Sequence, residues 1–219
     1  MRWVLWISAG LGFALLYVPL LILVIYSFNA SKLVSVWGGW STRWYVELWS
    51  NAAVLEAALV SLQVAVLAAT IGTAFGTVIG YILSRFGRFR LRLLLTGMAT
   101  APIVMPEVVT GLSLLLLFIS MEQLIGWPAG RSMTTIVIAH ATFCMAFVAV
   151  VIQARLAGYD HSIEEAAADL GGQQPGIFFQ ITLPVIAPAL LSGWLLAFTL
   201  SLDDLVIASF VSGQGSSTL

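Results

Sequence analysis

Ser162-Ile163-Glu164-Glu165-Ala166-Ala167-Ala168-Asp169-Leu170-Gly171-Gly172, followed shortly by Ile181-Thr182-Leu183-Pro184, is a polar stretch in a chain that is otherwise oily. It is acidic and built of helix formers, and it lies between the fourth and fifth of five long apolar segments. A chain that is 60% apolar and gives residues 155–184 to such a loop is offering that loop to something outside the membrane.

Working outward, composition fixes the class. Charged residues are only 9% of the chain, against roughly 25% in soluble domains. Crossing a hydrocarbon core of about 30 Å takes ~20 helical residues. Five segments qualify, at roughly 3–28, 53–84, 93–119, 133–154 and 185–207. The first is longer than a secretory signal core of ~7–15 residues, so it reads as a retained span. A net charge of −1 gives no case for nucleic-acid binding. The single cysteine, Cys144, lies within an apolar run, and no CxxC or Cys/His cluster suggests a metal. No HExxH, GxSxG or paired-carboxylate pattern is present, so no catalytic residue is assigned and an enzyme is not expected.

Orientation follows from basic residues. Arg85, Arg88, Arg90 and Arg92 fall in one short loop, and positive charge favours the cytoplasmic side. The N-terminus and loop 155–184 are then inside, and loops 29–52 and 120–132 outside. Trp3, Trp6, Trp37, Trp40, Trp44, Trp49 and Trp127 flank the spans, where amphipathic rings prefer the interface. Two units are expected: 1–52, holding the first span and an external loop, and 53–219, the remaining transmembrane domain. In the second span Ala68, Gly72, Gly76, Gly80 and Ser84 recur at every fourth position. Small residues at that spacing let helix backbones approach closely, either within this chain or against a partner subunit.

The loop itself has a physical reading. Ser162 and Glu165 fit a capping box. Glu164 and Glu165 then occupy the first turn, where the helix dipole favours negative charge. Gly171 and Gly172 supply a left-handed stop. Ile163, Ala166, Ala167 and Leu170 fall on one apolar stripe. Pro175 suits the first turn of a second short helix, and Leu183-Pro184 is expected to end it before the fifth span. So short a helix is not stable alone in water, so something must bury the stripe. An amphipathic helix resting on lipid usually carries Lys and Arg on its polar face. This one carries Glu164, Glu165 and Asp169, which makes a protein partner the better occupant.

The spacing EAA-x3-G-x9-I-x-LP, carried by Glu165, Ala166, Ala167, Gly171, Ile181, Leu183 and Pro184, resembles the cytoplasmic loop of permease subunits of binding-protein-dependent ABC importers. Tyr26-Ser27-Phe28-Asn29, Ala101-Pro102-Ile103-Val104-Met105-Pro106-Glu107 and Ser201-Leu202-Asp203-Asp204-Leu205-Val206-Ile207 are similar to its polyamine branch. The resemblance implies an all-α polytopic membrane protein of the MetI-like permease fold, in the bacterial inner membrane. It implies one half of a translocation pore, completed by a second permease subunit. Two ATPase subunits would dock on the loop, with Glu164, Glu165, Ala166, Ala167, Asp169, Leu170, Gly171, Ile181, Leu183 and Pro184 as the coupling residues. A periplasmic polyamine-binding protein would deliver cargo. ATP and magnesium would be held by the ATPase, with no cofactor on this chain. Family members have a sixth span, and this sequence has five, so truncation is the expectation.

Three acidic residues fall in or beside apolar segments. Glu107 lies near the middle of the third, where a carboxylate costs at least about 2.5–3.5 kcal/mol and should face protein or water. Pro102 and Pro106 lack N–H groups and free nearby carbonyls. Glu107 is thus either a way-station for an ammonium group or a structural residue, bonded to a neighbouring helix or protonated. Asp203 and Asp204, toward the outer end of the fifth segment, point about 100° apart if helical, and read as a cation-attracting entry or as interfacial solvation. His140 reads as a structural hydrogen-bonding residue rather than a proton relay. The rival class is an ion-coupled secondary transporter using Glu107 and His140. It would show two similar halves, and no internal repeat is found.

The topology has a direct check. Single cysteines at Gly39 and Pro128 should react with a membrane-impermeant thiol reagent added from outside, and those at Gly87 and Gln173 only after the membrane is opened. External labelling at Gly87 would invert the orientation.

Overall fold

A computed structural model of the chain describes residues 2–33, 35–87, 89–213 and 218. The described residues are helical, apart from loops and one isolated bridge between Asn29 and Trp40. Two compact units are present, Met1–Glu56 and Ala57–Leu219, whereas the sequence reading divided the chain after residue 52.

The first unit holds α1 (Arg2–Tyr26), α2 (Arg43–Ser50) and the start of α3 (Ala52–Arg85). Within its own unit α1 buries no side chain. The loop after it turns on Asn29, which is 2% exposed. Its Nδ2 donates to the Val36 carbonyl at 2.7 Å, its Oδ1 accepts from the amides of Ser31 and Gly38, and its own carbonyl accepts from Trp44 Nε1. Gly39, at φ +99°, supplies the left-handed turn that the loop requires. Tyr26, Trp37 and Trp40 stack edge to face around it.

The second unit is built around α6 (Met133–Ala157), whose buried residues run along most of its length. The remaining elements are α4 (Arg92–Val104), α5 (Glu107–Ile125), α7 (Ser162–Asp169), α8 (Gln174–Ile177), a π-turn at Phe178–Thr182, α9 (Leu183–Asp203) and α10 (Val206–Val211). The small-residue stripe of α3 lies against α6, within this chain. A β-carbon on Gly72 would sit 3.1 Å from Cys144 Cβ. On Gly76 it would sit 2.7 Å from both the Met145 carbonyl oxygen and Val148 Cβ, and on Gly80 2.8 Å from the Ala149 carbonyl oxygen. α9 packs on α6 beside α3: Cys144 Sγ donates to the Ala197 carbonyl, and His140 Nδ1 shares a hydrogen bond with Ser201 Oγ at 2.8 Å. Trp194 Nε1 reaches from α9 to Thr70 Oγ1 of α3 at 3.1 Å. Arg92 closes the open end of α3 by donating to the carbonyls of Leu83, Phe86 and Gly87, which have no helical partner.

Among the described residues, five helices are long and apolar enough to span: Arg2–Tyr26, Ala52–Arg85, Glu107–Ile125, Met133–Ala157 and the continuous run Gln174–Asp203. Two expectations need correction. The third segment, read as one span over 93–119, is two helices. Met105 and Pro106 are extended, at ψ 140° and 138°, because the Pro106 ring excludes the α conformation at the residue before it. Pro102 stays inside α4. The fifth span ends at Asp203 instead of 207, and α10 follows after the non-helical Asp204.

The α3–α6 contact predicts the sign of a small change. In an open helix, Gly→Ala gains roughly 0.5–1 kcal/mol from reduced backbone entropy. At Gly76 the atoms in the way are a backbone carbonyl and Val148 Cβ, which cannot yield cheaply. Gly76→Ala should therefore lower stability by about 1–3 kcal/mol in thermal denaturation of the detergent-solubilised protein. Gly10→Ala, with nothing within 4 Å, should be neutral or stabilising.

Candidate functional site

The loop after α6 folds as two short helices, but its start differs from the expected capping box. Ser162 is the first residue of α7, preceded by His161 in helical conformation. The Ser162 amide is taken by Asp160 Oδ1 at 3.0 Å, so the cap comes from two residues upstream. Hydrogen bonds from the Ser162 amide and side chain hold the Asp160 carboxyl below its ordinary range. Glu165 makes no reciprocal bond to the Ser162 backbone and is exposed. The far end is the glycine stop the sequence reads. Gly171 takes φ +86°, its amide donates to the Ala168 carbonyl, and that of Gly172 to the Ala167 carbonyl, the paired bonds of a Schellman motif. A β-carbon on Gly172 would lie 2.7 Å from that Ala167 oxygen.

Pro175 falls in the first turn of α8, as read. Leu183-Pro184 does not end the segment, contrary to expectation. The Leu183 amide bonds to the Phe178 carbonyl five residues back, and the chain passes through the π-turn, with Ile181 in it, straight into α9. Pro184 sits in the first turn of α9, where a missing N–H is tolerated. The apolar stripe of α7 faces outward: Ile163 is 50% and Leu170 90% exposed. Ala166 and Asp169 are exposed, and Ala167 is half-buried.

Behind that stripe is a group of residues the sequence reading did not bring together. The Glu164 carboxylate pairs with the guanidinium of Arg85, the last residue of α3, and the same oxygen accepts from Thr182 Oγ1 of the π-turn. Arg85 Nη1 lies 3.3 Å from His161 Nε2, and its guanidinium sits 5.1 Å from the Tyr159 ring centre and 5.8 Å from that of Tyr81. Burial pushes the Tyr159 phenol up, and the neighbouring Glu164 carboxylate adds to it. Ser84, Glu165, Ala168 and Gln174 complete a cleft of about 300 Å³.

The membrane acids separate. Glu107 begins α5, exposed at the break after Pro106, and is not in mid-helix. Asp203 is exposed at the end of α9. Asp204 leaves the helix, so the helical separation of about 100° expected for the pair does not apply. Its side chain is 4% exposed, Oδ1 accepts from the Ile207 amide at 2.9 Å, and Oδ2 faces His140 Nε2 at 3.7 Å. His140 hydrogen-bonds Ser201 of α9 through Nδ1, and its Nε2, with no hydrogen-bond partner, faces the Asp204 carboxylate. Phe143, buried beside it on α6, stacks edge to face on Phe147.

A transmembrane helical domain with an exposed helical loop on continuous helices matches known proteins. Residues 72–219 match the family described as binding-protein-dependent transport system inner membrane component, and the chain belongs to that family of importer permease subunits. It is 62% identical over 209 residues to the putrescine transport system permease protein PotI of Escherichia coli K12, covering 95% of this chain and 74% of that protein. It is 40% identical over 201 residues to the spermidine/putrescine transport system permease protein PotC of the same strain, covering 92% and 74%. The fold superposes with a TM-score of 0.76, at 13% identity, on a chain of a bacterial ABC transporter involved in import of the acidic polysaccharide alginate, covering 98% of this chain and 78% of that one. The ion-coupled secondary transporter is set aside by this membership.

The position of Asp204 yields a test of its structural part. Asp204→Asn keeps an oxygen for the Ile207 amide and should hold thermal stability close to the parent. Asp204→Ala removes that oxygen and should cost about 1 kcal/mol, the scale of a lost helix-start cap. Equal stability of both variants would show that the bond to Ile207 contributes nothing.

Proposed function

We propose that this chain is a permease subunit that imports putrescine, forming one half of the translocation path beside a second permease subunit. The observation carrying this reading is the 62% identity, over nearly the whole chain, to a protein named for putrescine transport. The exposed stripe on α7 supports the docking of an ATPase, with Glu164, Glu165, Ala166, Ala167, Asp169, Leu170, Gly171, Ile181, Leu183 and Pro184 as the coupling segment. ATP and magnesium belong to that ATPase, and the chain itself makes and breaks no covalent bond. A soluble receptor delivers the cargo from the periplasm, and the N-terminus and the coupling loop lie in the cytoplasm.

Closure of the ATPase pair on ATP displaces α7. The helix runs without interruption from Gln174 through the π-turn to Asp203, so that displacement reaches the far end of the span. Putrescine carries two ammonium groups and needs opposing charge or oxygen dipoles as it leaves water. Glu107 and Asp203, both exposed on helix ends, are the proposed contacts. Asp204 belongs to the same acidic path only through the buried contacts that set the α9–α10 break.

The experiment is purification of the chain with its native partners, followed by ATP hydrolysis with receptor loaded with putrescine, spermidine or nothing. Putrescine should stimulate most. Glu165→Lys should reduce the ATPase that co-purifies, because it reverses charge on the docking helix. Glu107→Gln and Asp203→Asn should each lower initial putrescine uptake about tenfold, the scale of one lost charged hydrogen bond. Uptake unchanged in both variants would remove the acidic path, and no response to any polyamine would remove the substrate.

A further inference from the structure

We infer that Arg85 is a positioning residue for the coupling step: its ion pair with Glu164 fixes the heading of α7 and ties that helix to the transmembrane helix α3. The inference rests on the transport reading above.

The geometry is specific. Glu164 lies about 100° around α7 from Ile163, at 100° per helical residue, so it occupies the flank of the docking stripe. Anchoring Glu164 therefore sets which way Ile163, Ala166, Ala167 and Leu170 point. A helix as short as α7 has little stability of its own, and its stripe is exposed among the described residues of its unit, so an anchor away from the stripe is needed to orient it. The Glu164 oxygen that takes Arg85 also takes Thr182, so one carboxylate joins three elements: the end of α3, the start of α7 and the π-turn leading into α9. Extra turns of the π type, i→i+5, often mark functional positions in helices.

The surroundings favour a pair that acts as a unit. The Arg85 and Glu164 side chains are only 13% and 16% exposed, so solvent screens them less than an open surface pair. Tyr159 and Tyr81 lie against the guanidinium, where aromatic faces attract a cation. Arg85 Nε is buried with no hydrogen-bond partner, so loss of Glu164 would leave the guanidinium without its carboxylate in a partly dry cleft. Movement of α7 under an ATPase would then pull on α3 as well as on α9. Two spans would move together, and one ion pair would set the ratio of transport to hydrolysis.

The test uses the complete transporter in proteoliposomes and reads putrescine taken up per ATP hydrolysed, a ratio that does not depend on how much complex assembles. Arg85→Glu and Glu164→Arg should each lower the ratio about fivefold or more, and the double reversal should bring most of it back. Arg85→Lys, which keeps charge without the planar fork, should fall between. If Arg85→Glu fails to assemble, Arg85→Gln gives the same reading. A normal ratio in the single variants, or a double variant no better than the singles, overturns the inference. If wild-type complex hydrolyses ATP in response to its receptor but takes up no putrescine, the substrate reading alone fails. The tie is then read as receptor-stimulated over basal hydrolysis in the same variants.

Discussion

The structure depends on the close approach of α3 to α6. Lipid tails are as apolar as leucine, so helices in a bilayer gain little from hiding apolar surface and associate through dispersion contacts and short hydrogen bonds. Gly72, Gly76 and Gly80 remove the β-carbons that would hold the two backbones apart, and Cys144, Val148 and Ile152 fill the space. With α6 fixed in this way, α9 packs beside α3 on it, through the Cys144–Ala197 and His140–Ser201 bonds. The loop 155–184 leaves one of these packed helices and returns on the other. It is a small polar element held at both ends by the best-packed part of the chain, and Arg85 adds a third attachment from α3.

Some buried polar groups stand where the helices depart from regularity. Asp204 stands at the break between α9 and α10, where its carboxylate accepts the Ile207 amide, an orphan donor at a helix start. Thr135 Oγ1 reaches the Val211 carbonyl at the other end of α10, at 2.8 Å. Gly111 lets α5 come within reach: a β-carbon there would lie 2.7 Å from the Phe210 ring. A six-residue helix that could not stand alone is thus held at both ends and along one side. The exposed acids, Glu107 and Asp203, sit at the two other helix ends and are left for water, substrate or a partner.

Much of this was legible in the sequence because the membrane imposes length and polarity rules that single residues report. The apolar runs located the spans, the every-fourth-residue glycines located a close contact, and Gly171 located the end of α7. What was misread has local causes. Pro106 carried the signal for a helix break, but the apolar run on both sides of it argued for one continuous span. Asp160 outcompetes the capping box by taking the Ser162 amide itself, which a pattern starting at Ser162 overlooks. Asp203 and Asp204 were placed on one helix because nothing in their neighbourhood announces that Asp204 leaves it. The Arg85–Glu164 pair joins residues 79 apart in sequence, and each had a sufficient local explanation: a topology-setting cation and a helix-start anion. Contacts of that range follow only from the packing of α3, α6 and α9.

The central claim is that the outward stripe of α7 is covered by the ATPase. A photo-reactive amino acid placed at Leu170, the most exposed large apolar residue of the stripe, tests it in the assembled transporter, with the same probe at Leu15 on α1 as reference. The account predicts an adduct between this chain and the ATPase subunit from Leu170 and none from Leu15. Adducts from Leu170 only to lipid, or none to any protein, would contradict it.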